Sequence, residues 1–145
     1  MARHLVVANQ TAASNELAQR LRELAAAQPG AEFVLLVPAT AVADLLVWEE
    51  GASEDAALRR AEAARAHLEA AGVSVVETRV GDADPCTAVG DELRSNPGYE
   101  TIVVATFQPG LSRWLGLDLP ARIRRMAPDS EVIHVVSRAK APARS

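Results

Sequence analysis

Five short apolar runs recur along the chain, and polar residues separate each run from the next. They are Leu5 to Ala8, Phe33 to Val37, Val73 to Val80, Ile102 to Ala105 and Val132 to Val136. Apolar runs of this length are typical of strands that are covered on both faces, as in the sheet of an α/β protein. The pattern therefore predicts five buried strands.

Residues with helical spacing lie between the first three runs. Ser14 is suited to cap a first helix, which the Gln-Pro-Gly segment 28–30 would end. Ser53 is suited to cap a second, longer helix, and Gly72 is suited to end it. Between these helices, segment 39–51 fits either a short helix or a lid over the end of the sheet, and the pattern leaves both open.

Two further helices are predicted in the second half of the chain. Asp84 followed by Pro85 is a typical N-cap and first helical position, so a third helix is expected to begin there. A loop then follows the fourth strand, from Thr106 to about Gly116. A fourth helix carries Leu119 and Ile123 at helical spacing.

Strands that alternate with helices indicate one α/β domain over residues 1–137, with helices on both faces of an open parallel sheet and right-handed crossovers. Residues 138–145 form a small, basic tail rich in Ala and Pro, which we expect to be disordered. In such three-layer folds a ligand binds beyond the carboxyl ends of the strands, where the strand order reverses. The loops after the strands are therefore where functional residues are expected.

The composition narrows the class of partner. At 145 residues the chain suits one domain, and only 3% of it is aromatic, so the core must consist of Leu, Val, Ile and Ala. The net charge of −4 provides no sequence-wide basic surface, so we expect no nucleic acid partner. No apolar run approaches the ~20 residues of a membrane span, and the N-terminus lacks an export signal. The single cysteine, Cys86, fits a reducing compartment, so a cytoplasmic protein is expected.

The loop after the first strand argues against two familiar α/β functions. Asn9 to Ser14 contains no glycine, whereas a dinucleotide-binding site needs glycines there so that the backbone can approach a pyrophosphate. Asn9 and Gln10 are uncharged, whereas a phosphoacceptor domain needs acidic residues there to hold a metal. No nucleophile, base or metal set is recognisable in the sequence, so we expect neither an enzyme nor a required metal.

The loop after the fourth strand carries the most specific pattern. It consists of Ile102 to Thr106, Gly110 to Arg113, Gly116 and the pair Arg122-Ile123. This arrangement resembles the C-terminal half of the universal stress proteins, and Gly81-Asp82 ahead of Pro85 matches the same family. By element order the resemblance extends over roughly residues 3–136.

The resemblance implies a Rossmann-like fold of the adenine-nucleotide alpha-hydrolase type, with strand order 3-2-1-4-5. It implies an adenine nucleotide bound between the ends of the first and fourth strands, as a stable ligand and not as a substrate. It also implies a homodimer that pairs through the last strand, Val132 to Val136, whose apolar edge needs covering.

The sequence departs from the phosphate-holding motif of that family, which is Gly-x-x-Gly, nine residues, then Gly followed by Ser or Thr. Ala105 stands where the first glycine would be, and Phe107 to Pro109 replaces the segment that holds the second. Leu117 replaces the hydroxyl residue after Gly116, and Asn9 takes the place of the family's aspartate. Because backbone N–H groups and small residues hold phosphates in such loops, we expect ATP or another adenine nucleotide to bind weakly or not at all.

The candidate ligand-binding residues lie in the loops at the strand ends. They are Asn9, Gln10, Thr11, Pro38, Gly81, Asp82, Thr106, Gly110, Ser112, Arg113 and Gly116. Some have a structural alternative: Asp82 fits a turn, the two glycines fit turns as well as ligand contact, and Arg113 is favoured as a surface residue. His134 in the last strand is favoured as a hydrogen-bonded or dimer-interface residue over a catalyst.

These observations favour a non-enzymatic regulator of universal-stress-protein type, whose pocket binds a nucleotide or another small ligand weakly. One alternative keeps ATP bound through Ser112, Arg113 and backbone groups despite the altered loop. The other, a small nucleotide-processing enzyme, lacks a supporting set of residues.

Overall fold

The computed structural model describes residues 3–8, 14–38, 50–82, 84–107 and 118–137. Within these residues the chain forms one sheet of five strands, which are β1 (Arg3–Val7), β2 (Glu32–Pro38), β3 (Val75–Gly81), β4 (Thr101–Phe107) and β5 (Glu131–Ser137). The spatial order is β3-β2-β1-β4-β5, and every neighbouring pair is parallel. The predicted α/β fold class and strand order are therefore confirmed.

Helices cover both faces of the sheet. Within the described part of the chain they are α1 (Asn15–Ala27), α2 (Glu50–Ala70), α3 (Pro85–Ser95) and α4 (Leu119–Met126). The core between the sheet and the pair α1/α2 includes Leu17, Leu21, Phe33, Ala64, Leu68 and Val103. The core between the sheet and the pair α3/α4 includes Leu5, Leu36, Val89, Ile102, Leu119 and Ile123. Aliphatic side chains dominate both cores, as the composition predicts.

The first helix begins and ends where the sequence predicts. The Ser14 hydroxyl accepts a hydrogen bond from the backbone N–H of Leu17 at 3.1 Å, which satisfies one free donor of the first turn. At the other end, the N–H of Gln28 donates to the carbonyl of Leu24 at 3.0 Å. The start of α1 is thus fixed by its own cap.

The end of α2 is also as predicted, but its start is not. Gly72 has a φ of 92°, and the N–H of Val73 donates to the carbonyl of Leu68, which closes the helix with a left-handed residue. Ser53, the predicted cap, lies inside the helix, because the chain is already helical at Glu50. The predicted start is wrong because the Ala and Glu residues around Ser53 favour helix and extend it toward the N-terminus.

The strand boundaries differ from the predicted ones by one or two residues, and those at Thr106 and Val73 have a clear physical reason. Thr106 lies in β4, where it pairs in register with Val136, and not at the start of a loop. The loop prediction is wrong there because a β-branched residue fits the pleated surface of a strand. Val73 precedes β3, which begins at Val75, because the backbone of Val73 closes α2 instead.

Three predicted segments lie wholly or mostly outside the described residues and remain predictions. They are the short helix or lid over segment 39–51, of which only residues 50 and 51 are described, the loop after β4 from residue 108 onward, and the tail at residues 138–145. Among the helices that the structure describes, none has the length and apolar character needed to cross a membrane.

Candidate functional site

The strand order reverses between β1 and β4, which are neighbours at the centre of the sheet. From β1 the chain crosses to β2 on one side, and from β4 it crosses to β5 on the other. Open α/β sheets bind ligands in the crevice at such a reversal, beyond the carboxyl ends of the strands. Ala8, which follows β1, is fully buried, and its N–H donates to the carbonyl of Leu36 at 3.2 Å. The end of β1 is therefore held in the sheet.

Four candidate ligand-binding residues lie within the described part of the chain, namely Pro38, Gly81, Asp82 and Thr106. The other candidates lie outside it; they are Asn9, Gln10, Thr11, Gly110, Ser112, Arg113 and Gly116. Pro38 and Gly81 pair in register at the carboxyl ends of β2 and β3, to one side of the reversal. Thr106 lies near the carboxyl end of β4, at the reversal itself.

Thr106 is buried, and its hydroxyl oxygen lies 2.7 Å from Nε2 of His134 on β5. Burial lowers the pKa of His134 below its ordinary value of 6.5, and the positive charge of Arg124 lowers it further. The imidazole is therefore neutral near pH ~7, and a neutral imidazole has one donor and one acceptor nitrogen to offer a hydroxyl. His134 is predicted to be a hydrogen-bonded or a dimer-interface residue, and the structure shows the hydrogen bond.

Gly81 has a packing role at the start of α3. A Cβ atom at this position would lie 2.8 Å from Cβ of Ala88 and 3.1 Å from Cδ1 of Leu36. Real Cβ atoms do not approach a neighbour as closely as the first of these distances, so α3 packs this tightly on the end of β3 only because residue 81 has no side chain. Packing accounts for Gly81 without a ligand.

Asp82 organises the turn between β3 and α3. Its Oδ1 accepts a hydrogen bond from the backbone N–H of Asp84 at 2.9 Å. Asp84 occupies the predicted N-cap position, but its Oδ2 accepts from the hydroxyl of Thr87 at 2.7 Å and not from a helix N–H. The structure therefore agrees with the prediction that Asp82 forms a turn.

Within the described ranges, no group of three or more His, Cys, Asp or Glu side chains is placed to hold a metal ion.

Comparison with known proteins identifies the fold. No protein-family model matches the sequence, and no curated protein matches it. A solved universal stress protein from Archaeoglobus fulgidus superposes with a TM-score of 0.62 at 13% identity, over 93% of this chain and 93% of its own. A universal stress protein family member from Arabidopsis thaliana, solved with AMP bound, gives 0.57 at 17% identity, over 96% of this chain and 94% of its own. The chain has the universal stress protein fold.

A further universal stress protein, solved in complex with cAMP, superposes with a TM-score of 0.55 at 17% identity. The superposition includes 94% of this chain and 96% of the chain of that protein. The resemblance to universal stress proteins predicted from the loop after β4 is therefore confirmed at the level of the fold.

Ala105, which the sequence resemblance places at the position of the family's first glycine, lies inside β4. Its side chain is buried in the α1/α2 core together with that of Ala8. The two alanines follow the registered pair Val7 and Val104 on the neighbouring strands. The methyl group of Ala105 thus points into the core and adds no bulk beyond the strand ends.

One contact at the carboxyl end of the universal stress protein fold has no signature in the sequence. The hydroxyl oxygens of Ser14 and Ser137 lie 2.8 Å apart, although 123 residues separate them. Ser14 caps α1, and Ser137 is the fully buried last residue of β5. The sequence predicts the cap but not its partner, because their proximity follows only from the assembled sheet.

Sequence reasoning also misses a polar cluster between α3 and the edge strand β3. The Tyr99 hydroxyl donates to Oε2 of the buried Glu92 at 2.7 Å, and Nε of Arg79 lies 3.3 Å from Oε1. Burial raises the pKa of Tyr99, and the hydrogen bond to Glu92 raises it further. The available signal was the i, i+4 spacing of Glu92 and Asn96, whose side chains are hydrogen-bonded at 3.1 Å. The paired charges make this cluster a structural one, and it lies away from the reversal.

Proposed function

We propose that the protein is a non-enzymatic regulator of universal-stress-protein type. It binds a small ligand between the carboxyl ends of β1 and β4, with an adenine nucleotide as the first candidate. The observation that carries the proposal is the reversal of strand order at β1 and β4 in a fold whose solved examples include complexes with AMP and with cAMP. As in the sequence-based expectation, the protein acts in the cytoplasm.

Binding of ATP is weaker here than in a family member with the complete motif. Pro109 has no N–H to donate to a phosphate, and Leu117 has no hydroxyl. A neutral hydrogen bond contributes about 0.5–1.5 kcal/mol, so two losses weaken binding by roughly 5- to 150-fold. The lost hydrogen bonds are those that hold phosphates, so the affinity for a ligand with one phosphate is reduced less than the affinity for a ligand with three. We therefore expect AMP and cAMP to bind at least as well as ATP.

The ligand is bound and not converted. A hydroxyl hydrogen-bonded to an imidazole, as in Thr106 and His134, is an arrangement that activates nucleophiles when a substrate can reach the hydroxyl. Thr106 is only 2% exposed, which favours a structural role for this pair. Asp82, which directly follows β3, accepts a hydrogen bond within its turn, and this also favours a structural role. Incubation with ATP followed by chromatography of the nucleotides should therefore yield no ADP or AMP.

The regulator is a homodimer that pairs through β5. In the described sheet β5 has a neighbour on one side only, since it follows β4 at the end of the strand order. Val136 of this strand is 44% exposed, and Val132 is partly buried. Exposed apolar edge strands are usually covered, and a second copy of the same strand would cover this one.

Calorimetric titration with AMP, cAMP and ATP tests the ligand, with tryptophan fluorescence recorded in parallel. The two tryptophans, Trp48 and Trp114, follow β2 and β4 in the sequence, where the expected pocket lies. Arg113→Ala removes the one charged side chain between Thr106 and Leu117 and should weaken binding of each nucleotide. Arg94→Ala is the matched control, since Arg94 is an exposed residue of α3 paired with Asp91.

The absence of heat and of a fluorescence change with all three nucleotides at millimolar concentration would refute the adenine nucleotide. Mass spectrometry of small molecules retained on the purified protein then identifies another occupant. Equal weakening by Arg113→Ala and Arg94→Ala would place the nucleotide elsewhere on the protein.

A further inference from the structure

Strand β5 makes two side-chain hydrogen bonds to the elements that border the crevice at β1 and β4. The Ser137 hydroxyl lies 2.8 Å from that of Ser14, the first described residue after segment 9–13. His134 Nε2 lies 2.7 Å from the hydroxyl of Thr106, near the end of β4. β5 itself is separated from β1 by β4 and does not lie at the reversal.

The two hydrogen bonds act on opposite faces of the sheet. Side chains of a strand alternate between faces, so Ser137 and His134, three positions apart, point to different sides. Ser137 meets the start of α1, on the α1/α2 face. His134 lies in register with Val104, whose side chain belongs to the α3/α4 core. One strand therefore fixes the crevice border from both sides.

The Ser14 hydroxyl connects this contact to the helix backbone. Its oxygen accepts from the N–H of Leu17 at 3.1 Å, and the same oxygen meets the Ser137 hydroxyl. Ser137 is fully buried and Ser14 is partly buried, so competition from water for this hydrogen bond is reduced. Loss of the Ser137 hydroxyl leaves the cap in place but releases the capped helix end from β5.

We infer that Ser137 and His134 are positioning residues, which set the affinity of the crevice between β1 and β4 without lining it. The inference rests on the proposed function for the ligand and deepens it. The start of α1 and the end of β4 must keep their separation for a ligand to contact both, and misplacement of contacting groups by a fraction of an ångström lowers affinity. β5 holds both elements at that separation.

The test compares Ser137→Thr with Ser137→Val, which have the same shape and differ only in the hydroxyl. AMP affinity is measured by calorimetry well below the unfolding temperature of each variant. Ser137→Val should weaken AMP binding by up to about tenfold, the upper limit that the loss of one neutral hydrogen bond sets, and Ser137→Thr should restore most of the affinity. Equal affinities of the two variants would overturn the inference.

A second pair of variants is needed if the buried site at residue 137 cannot accommodate the extra methyl group of Thr or Val without unfolding. Ser137→Ala is compared with Ser130→Ala, because the Ser130 hydroxyl donates to the carbonyl of Tyr99 at 2.7 Å at the opposite end of β5. Both variants lose one partly buried serine hydrogen bond, but only Ser137→Ala should weaken AMP. His134→Gln, which keeps a polar partner for Thr106, should likewise bind AMP more tightly than His134→Leu. Equal weakening within either pair contradicts the inference.

Failure of the proposed function is seen separately, in the wild-type protein. If wild type binds none of AMP, cAMP and ATP, the ligand proposal fails, and the inference is tested by amide hydrogen exchange without ligand. Ser137→Val should then speed exchange at the first turn of α1, including the N–H of Leu17, whereas Ser130→Ala should not. Unchanged exchange at this turn in Ser137→Val would overturn the positioning role.

Discussion

The hydroxyl oxygen of Thr106 lies 2.7 Å from Nε2 of His134, and the contact joins two neutral groups. Burial and the charge of Arg124 keep the pKa of the imidazole below its ordinary value. Protonation of His134 would place a second cation near Arg124 in a partly buried site. Protonation therefore costs free energy in the folded protein.

The stability of the protein should fall as the pH decreases through the mildly acidic range. The pKa of His134 is lower in the folded chain than in the unfolded chain, where it is near 6.5, so the unfolded chain binds more protons below that pH. The contribution of His134 is fully present above pH 6.5 and is lost as the pH falls toward the folded-state pKa. Urea unfolding at about pH 7.5 and about pH 5.5 should show a smaller decrease for His134→Gln than for wild type.

The variant Arg124→Gln separates the two causes of this pKa shift. Removal of the nearby positive charge should bring the pKa of His134 closer to 6.5 while leaving its burial intact. The acid-induced loss of stability should then be smaller than in wild type, but larger than in His134→Gln. Identical pH dependence of all three proteins would show that His134 contributes nothing to it.

A single methyl group should have opposite effects at Gly81 and Gly90. Gly81→Ala should lower the free energy of unfolding by about 1–3 kcal/mol, because its Cβ would meet Ala88 Cβ at 2.8 Å. Gly90→Ala, in the interior of α3, should raise it by about 0.5–1 kcal/mol, because the nearest atom lies 3.7 Å away. Urea denaturation measures both, and destabilisation by Gly90→Ala together with a neutral Gly81→Ala would contradict this packing.

The Tyr99 hydroxyl should stabilise the fold through Glu92. Tyr99→Phe leaves the buried Glu92 carboxylate without its 2.7 Å donor and should cost about 1–3 kcal/mol of unfolding free energy. The control is Asp91→Asn, which removes an exposed ion pair with Arg94 on the same helix and should cost less than about 0.5 kcal/mol. Equal costs in urea denaturation would mean that water replaces the lost donor.

Lysine on β5 should prevent the proposed dimer. Val136→Lys places a charge on the edge that a second copy would cover, and static light scattering should then report a monomer near 15.4 kDa. Val76→Lys is the control, because Val76 is similarly exposed, at 39% against 44%, but lies on the opposite edge strand β3. A monomeric wild-type protein at high concentration would refute the dimer itself.

The sequence predicts most of the fold because buried strands and helix caps depend on residues that are close together in the chain. Apolar runs mark the strands, and Ser14 and Gly72 mark helix ends, since caps depend on residues adjacent in the chain. Two of the predictions that fail, at Ser53 and Thr106, lie where local propensity and neighbouring structure compete. Ser53 is helical because good helix formers surround it, and Thr106 is part of β4 because it pairs with a neighbouring strand.

The site is less predictable, because its contacts join residues that are distant in sequence. Ser14 and Ser137 are 123 residues apart, and Thr106 and His134 are 28 apart. No local pattern distinguishes these hydroxyl groups from exposed ones. The role of Gly81 likewise depends on how closely α3 packs against the end of β3, a distance that no single segment determines.

The hydrogen bond between Ser14 and Ser137 also constrains the order in which the molecule can be completed. A chain leaves the ribosome from its N-terminus, so α1 emerges long before β5. A contact of such long sequence separation requires the closure of a long loop, which costs conformational entropy. A nascent or truncated chain that ends before Ser137 has a capped α1 with no anchor on the sheet edge. The last of the five described strands thus completes the crevice border, and ligand binding would distinguish chains that include β5 from chains that end before it.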